Sequence, residues 1–361
     1  MKNILYISKY NGIVGGIERY MQKSAELLRR NSFAVHYLYT ENGGKEPESF
    51  ANAFDTVQIF SPENNWLKNA DMVIIHNIIG VEYLPFMPKK KTFFFAHDHN
   101  IYCQRHHYYT PIGRINCHRK YNKFICKLCS LGRNEAPPLA EYRKLPALVL
   151  SDFMAENLRK NGFEKVVKLP AFIKTAEKEH NFMPDGVLRI LFLGQLIRGK
   201  GADLMLKTLA ELDIPFECTI AGDGNDRQML ETLVKKYKLQ KKVHFDGFVS
   251  EPEKLWDNCD VFFFPIRWQE PFGLVGLEAA AHGVPVVAFD LGGVREWLSD
   301  LENGIAIPEK KVVAAAGFLG SLAGKREALE DMGNRGRKLA KEKFSEENFI
   351  KNFNKLCGGL L

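Results

Sequence analysis

No stretch of the 361-residue chain stays apolar for the length that a helical bilayer span needs, so no transmembrane segment is expected. The opening residues, MKNILYISKY, hold a short apolar run without a cleavage-site pattern. They read as a first strand, not a signal peptide, and a cytosolic chain is expected. Seven cysteines in such a chain do not make a disulfide framework. Internal repeats and low-complexity tracts are lacking too. So is any large charge surplus: 50 Lys and Arg against 43 Asp and Glu leave a net +7, too little to imply nucleic acid. That balance favours anionic partners such as phosphates or an anionic membrane face. The rest is an ordinary globular composition, 45% hydrophobic and 26% charged, long enough for two full cores.

Short apolar runs alternate with helix-period segments throughout. NILYIS, DMVIIHN, KTFFFAH and ALVLS are buried-strand candidates in the first half. RILFLG, ECTIAG, KVHFDGF, DVFFFP and PVVAF are candidates in the second. Helical patterns such as Gly16–Arg30 and Ala202–Leu212 lie between them. This alternation predicts an α/β chain of two doubly wound, Rossmann-like domains with parallel sheets, facing a cleft. The pattern pauses at 174–187, which is polar and holds the turn signal Pro184-Asp185-Gly186. The expected division is 1–173, a linker at 174–187, a second domain at 188–344, and a terminal amphipathic segment at 345–361 that returns toward the first.

Two carboxylates in the second half call for a reason. In DVFFFPIRWQEPFGLVGLEAAAHGVPVVAF, a strand, a loop, a helix from Leu274 to His282 and a further strand follow in turn, with Gly283 stopping the helix. Glu270 then sits at the carboxyl end of a strand, where open parallel sheets bind ligands. The free amides of Gly273, Leu274 and Val275 at the helix start favour an anion. Glu278, one turn in, can accept hydrogen bonds from a diol. The plain alternatives are a first-turn acid before Pro271 and a solvated helix face. Two neighbouring loops look alike. LFLGQLIRGKG brings Arg198, Lys200 and Gly201, and CTIAGDGND brings Gly222 and Gly224, each at a strand's carboxyl end. One such loop is weak evidence, but two beside an anion-ready helix point to a diphosphate.

These residues carry a resemblance. EPFGLVGLE is similar to the E-x7-E motif of the retaining glycosyltransferases of family four, which have the GT-B fold. GQLIRGKGADLML, IAGDGNDRQMLE, VHFDGFVS and ENGIAI also follow that family in order and spacing, so the likeness covers nearly the whole second half. The resemblance implies that Glu270 contacts hydroxyls of a donor sugar. Gly273, Leu274 and Val275 would offer amides to that sugar and the diphosphate, Glu278 would bind the ribose, Phe248 and Val249 would line the base, and Lys200 would bind the diphosphate. Where the family often has Arg after the glycine, this chain has Gln195, and Arg198 is the cation nearest in sequence.

In the first half, KYNGIVGGIERYM resembles the family's glycine loop near the donor phosphates, with Gly15 and Gly16 opening a helix. A plain glycine turn is the alternative. TFFFAHDHNIYCQ puts His97 at a strand's end, where the resembling family has a histidine near the reacting carbon; a histidine capping its own strand is the alternative. Residues 99–134 hold seven Lys or Arg, no acid, and interleaved aromatics. Such a segment suits an anionic acceptor or a membrane surface, or is an ordinary positive face. Cys103, Cys117, Cys126 and Cys129 fall inside it, and the close CKLC pair makes the four candidate structural zinc thiolates, with reduced thiols as the alternative.

Together the resemblance implies a retaining glycosyltransferase that moves a sugar from a nucleotide-diphosphate sugar to a sugar or lipid-linked sugar acceptor, as in cell-surface polysaccharide or glycolipid assembly. It would need no cofactor for catalysis, and would work in the cytoplasm or peripherally at the inner membrane face. A glycoside hydrolase would also use two carboxylates, but has no use for paired phosphate loops. A non-catalytic sugar-nucleotide-binding protein is the second alternative.

Overall fold

The computed structural model describes residues 1–89, 91–110, 115–131, 135–177, 180–183 and 186–359. They divide into two compact units, Met1–Pro170 with Glu346–Leu361, and Ala171–Ser345. In the first, β1 (Lys2–Tyr10), β2 (Phe33–Glu41), β3 (Thr56–Ile59), β4 (Met72–His76), β5 (Thr92–Phe95), β6 (Ala147–Val149) and β7 (Val166–Lys168) form one parallel sheet in the order β3-β2-β1-β4-β5-β6-β7. In the second, β8 (Leu188–Leu193), β9 (Phe216–Ala221), β10 (Val243–Gly247), β11 (Val261–Phe264), β12 (Val286–Phe289) and β13 (Gly304–Ile307) form another, ordered β10-β9-β8-β11-β12-β13 and also parallel. Both are doubly wound, as the strand–helix alternation predicts.

The strand order of each sheet reverses once, between β1 and β4 and between β8 and β11. The loops leaving such a strand pair run to opposite faces and open a crevice at the strands' carboxyl ends. The pairs at these points are the most apolar ones for a simple reason: they are covered on both faces. Leu5, Ile7, Val73 and Ile75 are fully buried in the first sheet, and all four residues of β11 are buried in the second.

Four strands are not evident from apolar runs: β2, β3, β7 and β13. In β2 the reason is local. His36 is buried by stacking on Trp66, with ring centroids 3.4 Å apart, and its Nδ1 lies 3.0 Å from the Thr56 hydroxyl. Tyr37 is buried against Phe50 and Phe54. Polar residues thus fill a central strand because their partners come from elsewhere in the chain.

The described part of 174–187 lies against the second unit. The Ala176 amide donates to Ala281 O at 3.1 Å, and Phe182 is buried. Pro184 and Asp185 of the expected turn are outside the described residues. The helix Glu346–Cys357 belongs to the first unit, where Phe353 meets Phe33 edge-on at 5.5 Å and Glu346 pairs with Arg30 at 3.0 Å.

Candidate functional site

In the second unit the chemistry gathers at the β8/β11 reversal. The loop after β8 carries Arg198, Gly199 and Lys200; the loop after β11 carries Glu270. They meet: Lys200 Nζ is 2.9 Å from Glu270 Oε2, and both side chains are largely withdrawn from water. A third residue, Arg267, ties the two loops together. Its amide donates to Gly199 O at 2.8 Å, its Nε to Arg198 O at 3.3 Å, and its guanidinium to both oxygens of Asp203. That ion pair is almost fully buried, with side chains 8% and 7% exposed, whereas Arg198 is half-exposed and 3.8 Å from the same carboxylate.

Glu270 is held from the other side as well. It forms a parallel bridge to Gly292, and its carbonyl accepts the Gly293 amide at 2.7 Å. Gly273 then turns the chain into the helix Leu274–Ala281 with φ +85°, a left-handed conformation that favours glycine. Trp297, fully buried, braces this start by donating its Nε1 to Phe272 O at 2.7 Å. The amides of Gly273, Leu274 and Val275 have no acceptor among the described residues. N–H groups without an acceptor at a helix start are of the kind that can take an anion. Glu278 is half-buried on the same helix. At the end of β10, Phe248 is 60% exposed and Val249 half-buried, so an aromatic face is offered to solvent where strands carry ligands.

Gly222 plays a different part from the one its loop suggests. Its amide donates to Gly247 O at 2.6 Å, and a Cβ there would lie 1.9 Å from Gly194 O. Glycine is needed so that the β8 and β9 loops can touch, and the amide is already engaged.

In the first unit His97 follows β5 and joins a second histidine. His97 Nε2 lies 2.9 Å from Nδ1 of His76, the last residue of β4, and the rings stack. Burial holds His97 down to about 3 and His76 well below the ordinary range. Both imidazoles are therefore neutral at pH 7. His76 Nε2 is buried without a partner. A bare lone pair is tolerated there better than an orphaned N–H, which puts the shared proton on His76 Nδ1. His97 is then left with its Nδ1–H to donate. Next to it, Asp98 accepts the Asn100 amide at 2.9 Å, and burial pushes its carboxyl up to about 6.

Gly15 and Gly16 lie after β1. The Gly15 amide donates to the Glu18 carboxylate at 2.8 Å. Gly15 is extended, with φ −166°, and a Cβ on either glycine would meet nothing within 4 Å. Neither backbone nor packing among the described residues requires glycine at these two positions.

Cys103, Cys117, Cys126 and Cys129 are all half-buried, and none forms a disulfide among the described residues. Burial raises the Cys103 and Cys129 thiols, and neighbouring thiols add to the rise. Among the described residues, however, no group of three or more His, Cys, Asp or Glu is arranged to hold a metal ion. Arg114, in the same segment, is outside the described residues.

Residues 173–339 match the family model for glycosyl transferases group 1. Over 166 residues the chain is 33% identical to an uncharacterized glycosyltransferase of Methanocaldococcus jannaschii, covering 45% of this chain and 42% of that protein. Over 114 residues it is 38% identical to the O-antigen biosynthesis glycosyltransferase WclY of Escherichia coli, covering 32% and 31%. The chain spans less than half the length of these curated relatives. The solved structure of Anabaena HepE in complex with UDP and glucose covers 100% of both chains with a TM-score of 0.75 at 14% identity. The fold is GT-B.

Three features of these two units went unread in the sequence. Arg267 and Asp203 are far apart in the chain and carry no motif signal, although an Arg beside strand β11 hints at a buried cation. His76 ends an apolar run in DMVIIHN and is indistinguishable there from a strand-end residue. Gly292 and Gly293 do carry a signal, since a paired glycine after a strand marks a close backbone approach.

Proposed function

We propose that this chain is a retaining glycosyltransferase of family four, working through the E-x7-E pair Glu270 and Glu278. The observation that carries the reading is the Lys200–Glu270 ion pair beside the three free amides of Gly273–Val275. A nucleoside diphosphate placed there replaces one charge pairing with another. Lys200, assisted by Arg198, turns from the carboxylate to the phosphate oxygens, and the helix start donates to the same anion. Glu270, released, accepts from hydroxyls of the donor sugar. Glu278 accepts from the ribose diol, and Phe248 with Val249 faces the base. In the first domain, Gly15 and Gly16 leave room for donor phosphate and the Nδ1–H of His97 serves the sugar.

In the reaction, the bond from the anomeric carbon to the leaving phosphate oxygen breaks. The acceptor hydroxyl oxygen forms its bond to the same face, and its proton passes to the leaving phosphate. The transition state spreads positive charge over the sugar and negative charge over the diphosphate. Lys200, Arg198 and preorganised amides meet the second of these, so the reading requires no divalent cation. The sugar is a hexose or a related one. The acceptor is a sugar or lipid-linked sugar of surface polysaccharide or glycolipid assembly. The HepE complex with UDP and glucose and the O-antigen role in the name of the Escherichia coli relative support donor and acceptor class.

Calorimetric titration with nucleoside diphosphates tests the reading. Lys200→Met should weaken the preferred one about ten- to hundredfold, the equivalent of one charge-assisted contact. Unchanged affinity, or no nucleoside diphosphate that binds, would refute it. NMR of the transfer product should show the donor's anomeric configuration kept, in chelator as in its absence.

A further inference from the structure

The helix Lys123–Cys129 presents the wrong face to water. A surface helix normally turns its apolar stripe inward. Here Phe124 is 83% and Leu128 76% exposed, and Ile125 is exposed beside them. Cys126 and Cys129, on the opposite side, are the half-buried residues. Phe124, Ile125 and Leu128 form an apolar ridge, and Ile115 and Leu131, before and after it in the chain, are exposed as well. Five of the fourteen exposed large hydrophobic residues described in the chain thus fall within 115–131, far more than scatter would place there.

The ridge is a built feature. Asn122 caps the helix, its side chain accepting from the amides of Phe124 and Ile125 at 3.1 and 3.0 Å. The segment is tied down from below: the Tyr121 amide donates to buried Asn161 at 2.8 Å, Arg105 to Cys129 O at 3.3 Å, and Lys160 to His118 O. The apolar side chains are therefore held outward by a formed helix.

Charge decides what they meet. Arg119, Lys120, Lys123 and Lys127 are exposed along the ridge, and none is ion-paired among the described residues. Residues 99–134 contain no acid at all. A protein partner with an apolar cleft would need acids around it, whereas an anionic bilayer supplies both requirements in one surface: phosphate charge at the headgroups and hydrocarbon beneath. We infer that this ridge docks the first domain on an anionic phospholipid surface, with Phe124, Ile125 and Leu128 entering the interface and the four cations at the headgroups. The inference is independent of the transfer reading, although it would bring the enzyme to a lipid-linked acceptor.

Sedimentation of the full chain with vesicles tests it. The protein should pellet with phosphatidylcholine vesicles containing phosphatidylglycerol, stay in solution with phosphatidylcholine alone, and be released by salt. Phe124→Ser with Leu128→Ser should weaken binding at least about tenfold. Lys123→Gln and Lys127→Gln should each cost about fivefold. All four side chains are exposed, so the melting temperature should hold, and it reports a folded variant. No binding to anionic vesicles overturns the inference and leaves the ridge to a protein partner. Equal binding to neutral vesicles, or anionic binding that ignores both pairs of substitutions, overturns it as well.

Discussion

Replacing Arg267 by Met strands a carboxylate. The Asp203 side chain is 7% exposed, and among the described residues its buried counter-charge is the Arg267 guanidinium, which reaches both of its oxygens. Removing one member of a buried pair typically costs about 3–5 kcal/mol, because the remaining charge is left desolvated without compensation. In a unit of this size each kcal/mol lowers the melting temperature by roughly 2–4 °C, so a fall on the order of 10 °C is expected. Function should fall further than stability alone explains. The Arg267 side chain also holds the Arg198 carbonyl through its Nε, and so helps to set where Lys200 stands relative to Glu270.

The double variant Arg267→Met with Asp203→Leu separates these effects. Both charges are gone, so most of the desolvation penalty should disappear and urea denaturation should show the double variant markedly more stable than the single. Nucleoside diphosphate affinity should stay reduced, since the loop remains unsupported. Arg267→Lys should fall between, keeping charge but losing the fork geometry. A single variant within about 1 kcal/mol of wild type, or a double variant no more stable than the single, would refute the reasoning.

The neighbouring histidine and aspartate should oppose each other in pH dependence. Asp98, raised from 3.8 to about 6, binds its proton more tightly in the folded state, so its contribution is lost as pH rises from about 4 to 6. His97, lowered to about 3, acts the other way, stability falling as pH drops below its unfolded value of 6.5. Asp98→Asn should therefore gain roughly 2 kcal/mol on wild type between pH 4 and 6; a constant difference across that range would contradict the assignment. His97→Ala strands the His76 Nδ1–H and should lower the melting temperature somewhat, but turnover of the folded fraction should fall strongly; near-normal turnover of that fraction would make it a strand-capping residue. Metal analysis of protein purified without added metal should find well under one equivalent of zinc, and thiol titration should find Cys103, Cys117, Cys126 and Cys129 reduced. Near-stoichiometric zinc, which thiolate sites hold tightly, would show that the thiols converge further than their geometry here.

Much of this protein was settled in one dimension. Strands covered on both faces must be continuous apolar runs, so β1, β4, β5, β6, β8, β9, β11 and β12 are visible locally, the edge strand β10 shows as a shorter, half-exposed run, and the alternation with helices leaves little but parallel, doubly wound sheets. Gly273 and Glu270 are equally legible, because a helix start after a strand has a fixed local signature. What remained hidden depends on partners distant in the chain. β2 could not be read because His36 and Tyr37 become buried only once Trp66, Phe50 and Phe54 cover them. The His76–His97 pair exists because β4 and β5 are neighbours in the sheet. Gly222 is glycine for the sake of a carbonyl 28 residues earlier. Arg267 and Asp203 meet 64 residues apart, where folding removes both from water and leaves each as the other's solvation. A local pattern records which face of the chain is buried; the identity of what it is buried against is a property of the tertiary structure alone.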